Sequence, residues 1–282
     1  MSSPTLLLTA LAMLAFAGNS ILCRMALKAT EIDAASFTSV RLVAGAFTLL
    51  IILRLKTAAQ PLSGSWPGAL ALTAYAAAFS FAYINLDAGS GALLLFGAVQ
   101  LSMIAWGFYR GERFGIATAV GLALALIGLI ALLLPGANTP ALGSALLMLV
   151  SGVAWGAYSL MGRGAVDPLA TTAGNFLRAV PIALLISLAL ISRLQWDVAG
   201  LGYAVLSGAL ASGIGYAIWY SALRGLKSFQ AATVQLSVPI LTALAGSLLL
   251  GEALTLRLLL SSAAVLGGIA IVLTAKQRSP QT

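Results

Sequence analysis

The chain has 282 residues, of which 61% are hydrophobic and only 8% charged, with a net charge of +8, a pI near 10.1 and a mean hydropathy of +1.04. A soluble domain carries about 25% charged residues, so this composition excludes an ordinary globular protein. The 15 Lys and Arg residues are scattered over the ends of apolar runs rather than gathered in a stripe; that excludes a nucleic-acid surface and leaves topology signals instead.

Ten apolar stretches follow one another, over 5–23, 36–53, 66–86, 88–109, 115–134, 141–161, 171–192, 198–221, 228–249 and 255–274. Each is about as long as a helix that crosses ~30 Å of hydrocarbon. The runs are continuous rather than alternating, which excludes a β-barrel. Backbone groups in lipid must then pair within their own segment, so the spans are α-helices. The first stretch has no positive leader and is followed directly by more spans, so it reads as span 1 rather than as a signal peptide.

In chain order, span 1 carries Ala12, Phe16 and Asn19 on one face and is closed by Arg24. Span 2 carries Arg41 inside the run. Trp66 opens span 3, whose Tyr75, Phe79 and Tyr83 share a face at i, i+4 and i+8. Span 4 begins with Gly89 and Gly91, places Phe96, Gln100 and Met103 together, and ends near Gly111-Glu112, ahead of Gly115 and span 5. Span 6 shows Ser151, Trp155 and Tyr158, a Gly152-x-x-x-Gly156 spacing, and Arg163 at its close. Span 7 contains Arg178 and Pro181. Trp196 precedes span 8, with Ser212, Tyr216 and Tyr220 on one face. Span 9 contains Gln235, Pro239 and Thr242 and ends at Gly251-Glu252.

These landmarks repeat in order. Arg24 matches Arg163, Arg41 matches Arg178, Trp66 matches Trp196, and Gly111-Glu112 matches Gly251-Glu252. The expected architecture is two five-helix repeats, 1–134 and 141–282, joined by a linker at 135–140. Five is odd, so the second repeat is inverted relative to the first. Inverted repeats around a central cavity suit a secondary transporter; the bland alternative is a duplication kept for packing alone. If the chain starts in the cytoplasm, Arg54, Lys56, Arg110, Arg113, Arg163, Arg224, Lys227, Lys276 and Arg278 fall inside, and Arg24, Lys28, Arg193 and Arg257 outside. That bias predicts both termini cytoplasmic, with Arg24 and Lys28 opposing it.

Ten short spans, paired halves and the two Gly-Glu pairs resemble the drug/metabolite transporter superfamily, EamA type. Phe16-Ala17-Gly18-Asn19-Ser20 through Arg24 is most similar to the aromatic amino-acid exporters of the YddG type. The resemblance covers nearly the whole chain. It implies a basket of helices around a cavity, with spans 5 and 10 further from it, and export of Phe, Tyr, Trp and related amino acids across the bacterial inner membrane.

The residues frame that expectation independently. A bulky zwitterion needs apolar walls and polar partners for its ends. The candidate substrate-binding set is Phe16, Asn19, Tyr75, Phe79, Tyr83, Gln100, Met103, Trp155, Tyr158, Ser212, Tyr216 and Gln235. Aromatic walls stack with an aromatic substrate at ~0.5–1.5 kcal/mol per contact, although aromatic stripes also serve helix packing. An amide can donate to a carboxylate or accept from an ammonium, and it can equally form an interhelical bond. Trp66 and Trp196 read as headgroup-belt residues. Arg41 and Arg178 either attract carboxylates and brace gate carbonyls, or form a duplicated packing device relieved by snorkelling. The packing reading is preferred for them, and Glu112 and Glu252 read as caps or partners of nearby Arg.

The sequence lacks His, has the single Cys23 and shows no mid-span carboxylate. No metal, cofactor or catalytic centre is therefore expected, and no buried proton relay. Expected partners are a small-molecule substrate and the bilayer, with no nucleic acid. The expected function is export of aromatic and other large neutral amino acids by alternating access, as facilitated diffusion. Export of another metabolite or drug is the sibling reading, and a non-transporting membrane subunit the more distant one.

Overall fold

The computed structural model describes residues 3–55, 61–111, 115–136, 139–163, 165–226 and 228–278. Their secondary structure is helical throughout, in ten helices: α1 Ser3–Ala29, α2 Ala34–Leu55, α3 Trp66–Tyr83, α4 Ala88–Tyr109, α5 Ile116–Leu133, α6 Leu142–Met161, α7 Pro168–Ala189, α8 Val198–Leu223, α9 in two pieces (Ser228–Gln235 and Ser237–Leu250), and α10 Leu256–Arg278. Nine of them, among the described residues, are long and apolar enough to span a membrane by themselves. The exception is α3, with 18 residues that include Trp66, Pro67, Thr73, Tyr75, Ser80 and Tyr83. Its polarity is spent on bundle contacts rather than on lipid.

Polar side chains start these helices. Asp33 accepts from Ala35 N and Ser36 N at the head of α2, and Asp167 from Leu169 N and Ala170 N at the head of α7. Ser65 caps α3 and Asp197 caps α8. Each carboxylate or hydroxyl satisfies amides that have no helical partner. Among the described residues the six acidic ones, Glu31, Asp33, Asp87, Asp167, Asp197 and Glu252, lie in connections between helices.

The packing is symmetric between the halves. Helix α3 lies against α6, and α8 against α1; α4 against α6, and α9 against α1; α2 against α8, and α7 against α3. Helices α2 and α7, α4 and α9, and α5 and α10 each pair with their own counterparts. Exchanging the two repeats therefore leaves these principal neighbour pairs unchanged, as an inverted duplication requires. Gly111 (φ +89°) and Gly251 (φ +65°) end α4 and α9 in the same left-handed turn, open to glycine without strain. Glu112 lies outside the described residues.

Small residues set the close crossings. A Cβ on Gly152 would meet Leu95 O at 2.6 Å, and one on Gly156 would strike Ser102. The predicted Gly-x-x-x-Gly pair therefore fits α6 to α4 backbone-close, whereas Gly111 and Gly115 have open space around a Cβ and belong to a turn. Pro239 cannot donate to the carbonyl of Gln235, and α9 breaks at Leu236, beside it.

Two sequence readings need correction. Helix α1 does not stop at residue 23 but continues to Ala29, so Arg24 is not a loop cation: it is buried, at 7% exposure, within the bundle. Arg41 does not snorkel; at 1% exposure it heads the fully buried side chains by volume among the described residues.

Candidate functional site

Between the helices runs a cavity of about 560 Å³. Its wide part reaches the bundle end formed by the α6–α7 turn (Gly162, Arg163, Ala165, Pro168), the close of α8 (Leu223) and the start of α9 (Ala231, Ala232). This end also carries the start of α1, since Gly225 abuts Thr5. Inward, the walls are Val99, Gln100 and Met103 of α4, Thr171, Thr172 and Asn175 of α7, and Trp219 and Tyr220 of α8. Phe16, Trp155, Tyr216 and Gln235 form a throat shared with a narrower chamber beyond it. That chamber is lined by Asn19, Ser20, Tyr75, Phe79, Leu95, Phe96, Ala211 and Ser212. No residue of α5 or α10 lines either part, so that pair buttresses the basket from outside.

The throat is a continuous set of aromatic rings drawn from α1, α3, α6 and α8. Trp155 stacks on Tyr216 (centroids 5.4 Å, 26°) and on Tyr158 (5.3 Å, 29°), and tilts against Tyr75 at 4.8 Å. Phe16 meets Tyr216 and Trp219 edge-on at 5.9 Å. Offset and edge-to-face contacts are the arrangements that ring quadrupoles favour. Polar groups punctuate this wall. Asn19 is held by two partners: its Nδ2 donates to Tyr75 Oη at 3.3 Å, and its Oδ1 accepts from Ser207 Oγ at 2.7 Å. Gln235 Nε2 donates to Ala231 O at 3.1 Å, just before the break in α9. The Gln100 amide faces the wide part without a hydrogen-bond partner among the described residues.

Of the twelve candidate substrate-binding residues, all but Tyr83 line this cavity. Tyr83 lies deeper, fully buried, with its ring edge-on to Phe79 at 4.8 Å and its hydroxyl on Ala88 O. Ser151 and Ala12 are also buried away from it, Ser151 donating to Tyr75 O. Spacing alone missed Ser20, Trp219, Thr172 and Asn175. Thr172 bridges Tyr158 and Tyr220 through hydroxyl contacts of 3.3 and 2.8 Å, and Asn175 accepts from Ser65 N. A polar stripe of Thr171, Thr172 and Asn175 in an otherwise apolar span was the available signal.

Helix α8 is irregular where it flanks the chamber. Ser207–Ile214 forms a π-helical segment that presents Ser207 and Ser212 inward and lays Gly208 directly on the backbone of Arg41. Such wide turns inside α-helices concentrate at functional sites.

The opposite bundle end is sealed. Arg24 donates from Nε to Glu252 (3.1 Å), from Nη1 to Tyr83 O (2.9 Å) and Ile84 O (3.0 Å), and from Nη2 to Asp87 (3.3 Å). The other oxygen of Glu252 accepts from Ala88 N at 2.7 Å. One buried cluster thus ties α1, the α3–α4 turn and the α9–α10 turn together. Arg178, by contrast, serves the open end: its Nη1 donates to Gly174 O and to Ser63 O, bracing the chain ahead of α3. The cavity is therefore open at one end and tied shut at the other.

The EamA-like transporter family model matches residues 142–274, the second half of this architecture. An uncharacterized protein of Pseudomonas aeruginosa is 63% identical over 270 residues, covering 95% of this chain and 94% of its own. Two uncharacterized transporters of Archaeoglobus fulgidus are 28% and 27% identical, over 73% and 86% of this chain. The chain belongs to the EamA-like transporter family. A solved crystal structure aligns over 99% of this chain and 100% of its own with a TM-score of 0.70 at 20% identity, so the ten-helix fold is shared. This EamA-like chain is thus a multi-pass membrane transporter.

Proposed function

We propose that this EamA-like transporter exports aromatic and other large neutral amino acids across the bacterial inner membrane. The observation that carries the reading is the throat of Phe16, Tyr75, Trp155 and Tyr216, flanked by the amides of Asn19, Gln100 and Gln235. Rings grip an aromatic or bulky apolar side chain, while amides exchange hydrogen bonds with a carboxylate or an ammonium. In this reading the two repeats, 1–134 and 141–282, rock about the throat, and the Arg24–Glu252 cluster opens as the α6–α7 end closes.

The open end is the cytoplasmic one. Burial of Arg24 removes a cation that opposed this orientation, which leaves the positive-inside bias stronger. Driving force comes from the metabolite gradient, because the described acidic residues lie in helix connections and the sequence has no His.

The test is uptake of labelled amino acids into proteoliposomes, with counterflow measured with and without an imposed proton gradient. Saturable uptake of Phe or Trp, reduced by Phe79→Ala, Trp155→Ala and Gln100→Ala but not by Trp66→Ala, supports the reading. Equal rates for every variant sink it, and strict gradient dependence removes the facilitated mechanism. Export of another metabolite of the same size is the second reading, favoured if only non-amino-acid ligands exchange.

A further inference from the structure

Arg41 is the feature that neither packing nor the throat explains. Its guanidinium carbon lies 5.3 Å from the ring centroid of Tyr75 and 5.0 Å from that of Phe79. Nε and Nη1 are buried and have no hydrogen-bond partner among the described residues. Among the described residues the acidic ones lie in helix connections, and the buried carboxylate of Glu252 is committed to Arg24 and Ala88. A positive charge therefore sits about two turns inside α2 with two ring faces beside it and two of its three nitrogens unpaired. Burying an unpaired charge is among the costliest choices a fold can make.

Repeat symmetry does not demand it. Arg178, the matching residue of α7, spends its donors on two carbonyls at the edge of the bundle. The same duplicated position is satisfied in one half and starved in the other, so a packing device common to both does not account for Arg41. Tyr75 and Phe79, which cover its guanidinium, also line the inner chamber. One layer of aromatic rings separates the charge from the transport path.

The geometry points to Arg41 as the carboxylate-recognition site of this transporter. Its field acts through the two rings on a substrate that reaches the chamber, and its free N–H donors pair with the carboxylate once the rings of Tyr75 and Phe79 turn aside. A planar guanidinium suits a carboxylate, and its weak hydration lets it wait in an apolar site. The inference rests on the chamber being the substrate path and adds the group recognised there: a monocarboxylate, with the ring wall taking the rest of the molecule. At an effective dielectric of about 20, a charge pair separated by one layer of rings is worth on the order of tenfold in affinity.

The experiment measures binding of L-phenylalanine, phenethylamine and hexanoate to the purified transporter as wild type, Arg41→Lys and Arg41→Met, with a melting temperature for each. Arg41→Met is expected to weaken L-phenylalanine and hexanoate about tenfold or more, to leave phenethylamine unchanged or tighter, and to melt higher, because an unpaired buried charge has gone. Arg41→Lys retains most of the carboxylate affinity. A merely structural arginine would instead lower the melting temperature and weaken all ligands alike, which overturns the proposal. So does unchanged L-phenylalanine binding in Arg41→Met, which leaves the aromatic amino-acid reading standing; a wild type that binds phenethylamine alone overturns both. Arg41-dependent binding of hexanoate with no gain from a ring would retain the carboxylate site and refute the aromatic reading. A wild type that binds neither carboxylate overturns the site outright.

Discussion

Replacing Glu252 with Gln tests whether the far-end cluster is a gate or only a staple. The carboxylate accepts from Arg24 at 3.1 Å and from Ala88 N at 2.7 Å, and both charged partners are nearly buried. Removing one member of a buried pair costs about 3–5 kcal/mol when its partner is stranded. Arg24 is not fully stranded, since it retains the carbonyls of Tyr83 and Ile84. Asp87, 57% exposed, adds little after solvent screening. The Gln amide oxygen also keeps one of the two bonds, so a loss of about 2 kcal/mol is the reasoned figure. If the cluster exists only while the far end is shut, that loss moves the open–shut equilibrium by about 30-fold. Cys23 reports it directly: it is the sole cysteine, fully buried, and adjacent in sequence to Arg24. Labelling by a membrane-impermeant maleimide should accelerate by an order of magnitude or more in Glu252→Gln, because reactivity follows the open population. An unchanged labelling rate together with a lower melting temperature would refute the gate and leave a structural tie.

Trp155→Ala removes ring contacts to Tyr75, Tyr158 and Tyr216; at ~0.5–1.5 kcal/mol per lost stack with a ligand, apparent affinity for an aromatic substrate should fall about tenfold, read as a rise in half-saturating concentration. Gly156→Leu drives a side chain into Ser102 and the α4 backbone; overpacking of about 1–3 kcal/mol should lower the melting temperature and the yield of monodisperse protein, whereas Gly143→Leu, with open space at its Cβ, should do neither. Transport rates should stay flat across the histidine titration range, since the sequence has no His and its described carboxylates lie outside the helices; a sigmoidal rate profile there would expose an overlooked proton-coupled group.

Much of the site was legible from one-dimensional spacing. Phe16 with Asn19, Tyr75 with Phe79, and Ser212 with Tyr216 fall on single faces because α-helical period sets them there, and the bundle turns those faces inward. Tyr83 obeyed the same period and still missed the cavity. Spacing fixes azimuth but not depth, and depth is where the sealed end begins. Arg24 was misplaced for a related reason: hydropathy ends a span at the first charge, whereas a helix ends where its backbone bonds end.

Composition by itself determined that this chain lives in lipid as ten helices, because continuous apolar runs can satisfy their backbone no other way. The odd number of spans in each repeat determined that the chain's halves are inverted. What only tertiary structure decided is charge. Arg24, Arg41, Arg163 and Arg178 are indistinguishable as letters, yet one latches the closed end, one is buried over two rings, one edges the open mouth and one braces a turn. The worth of a charge depends on its partners and on the water it has lost, and both are properties of the assembled bundle.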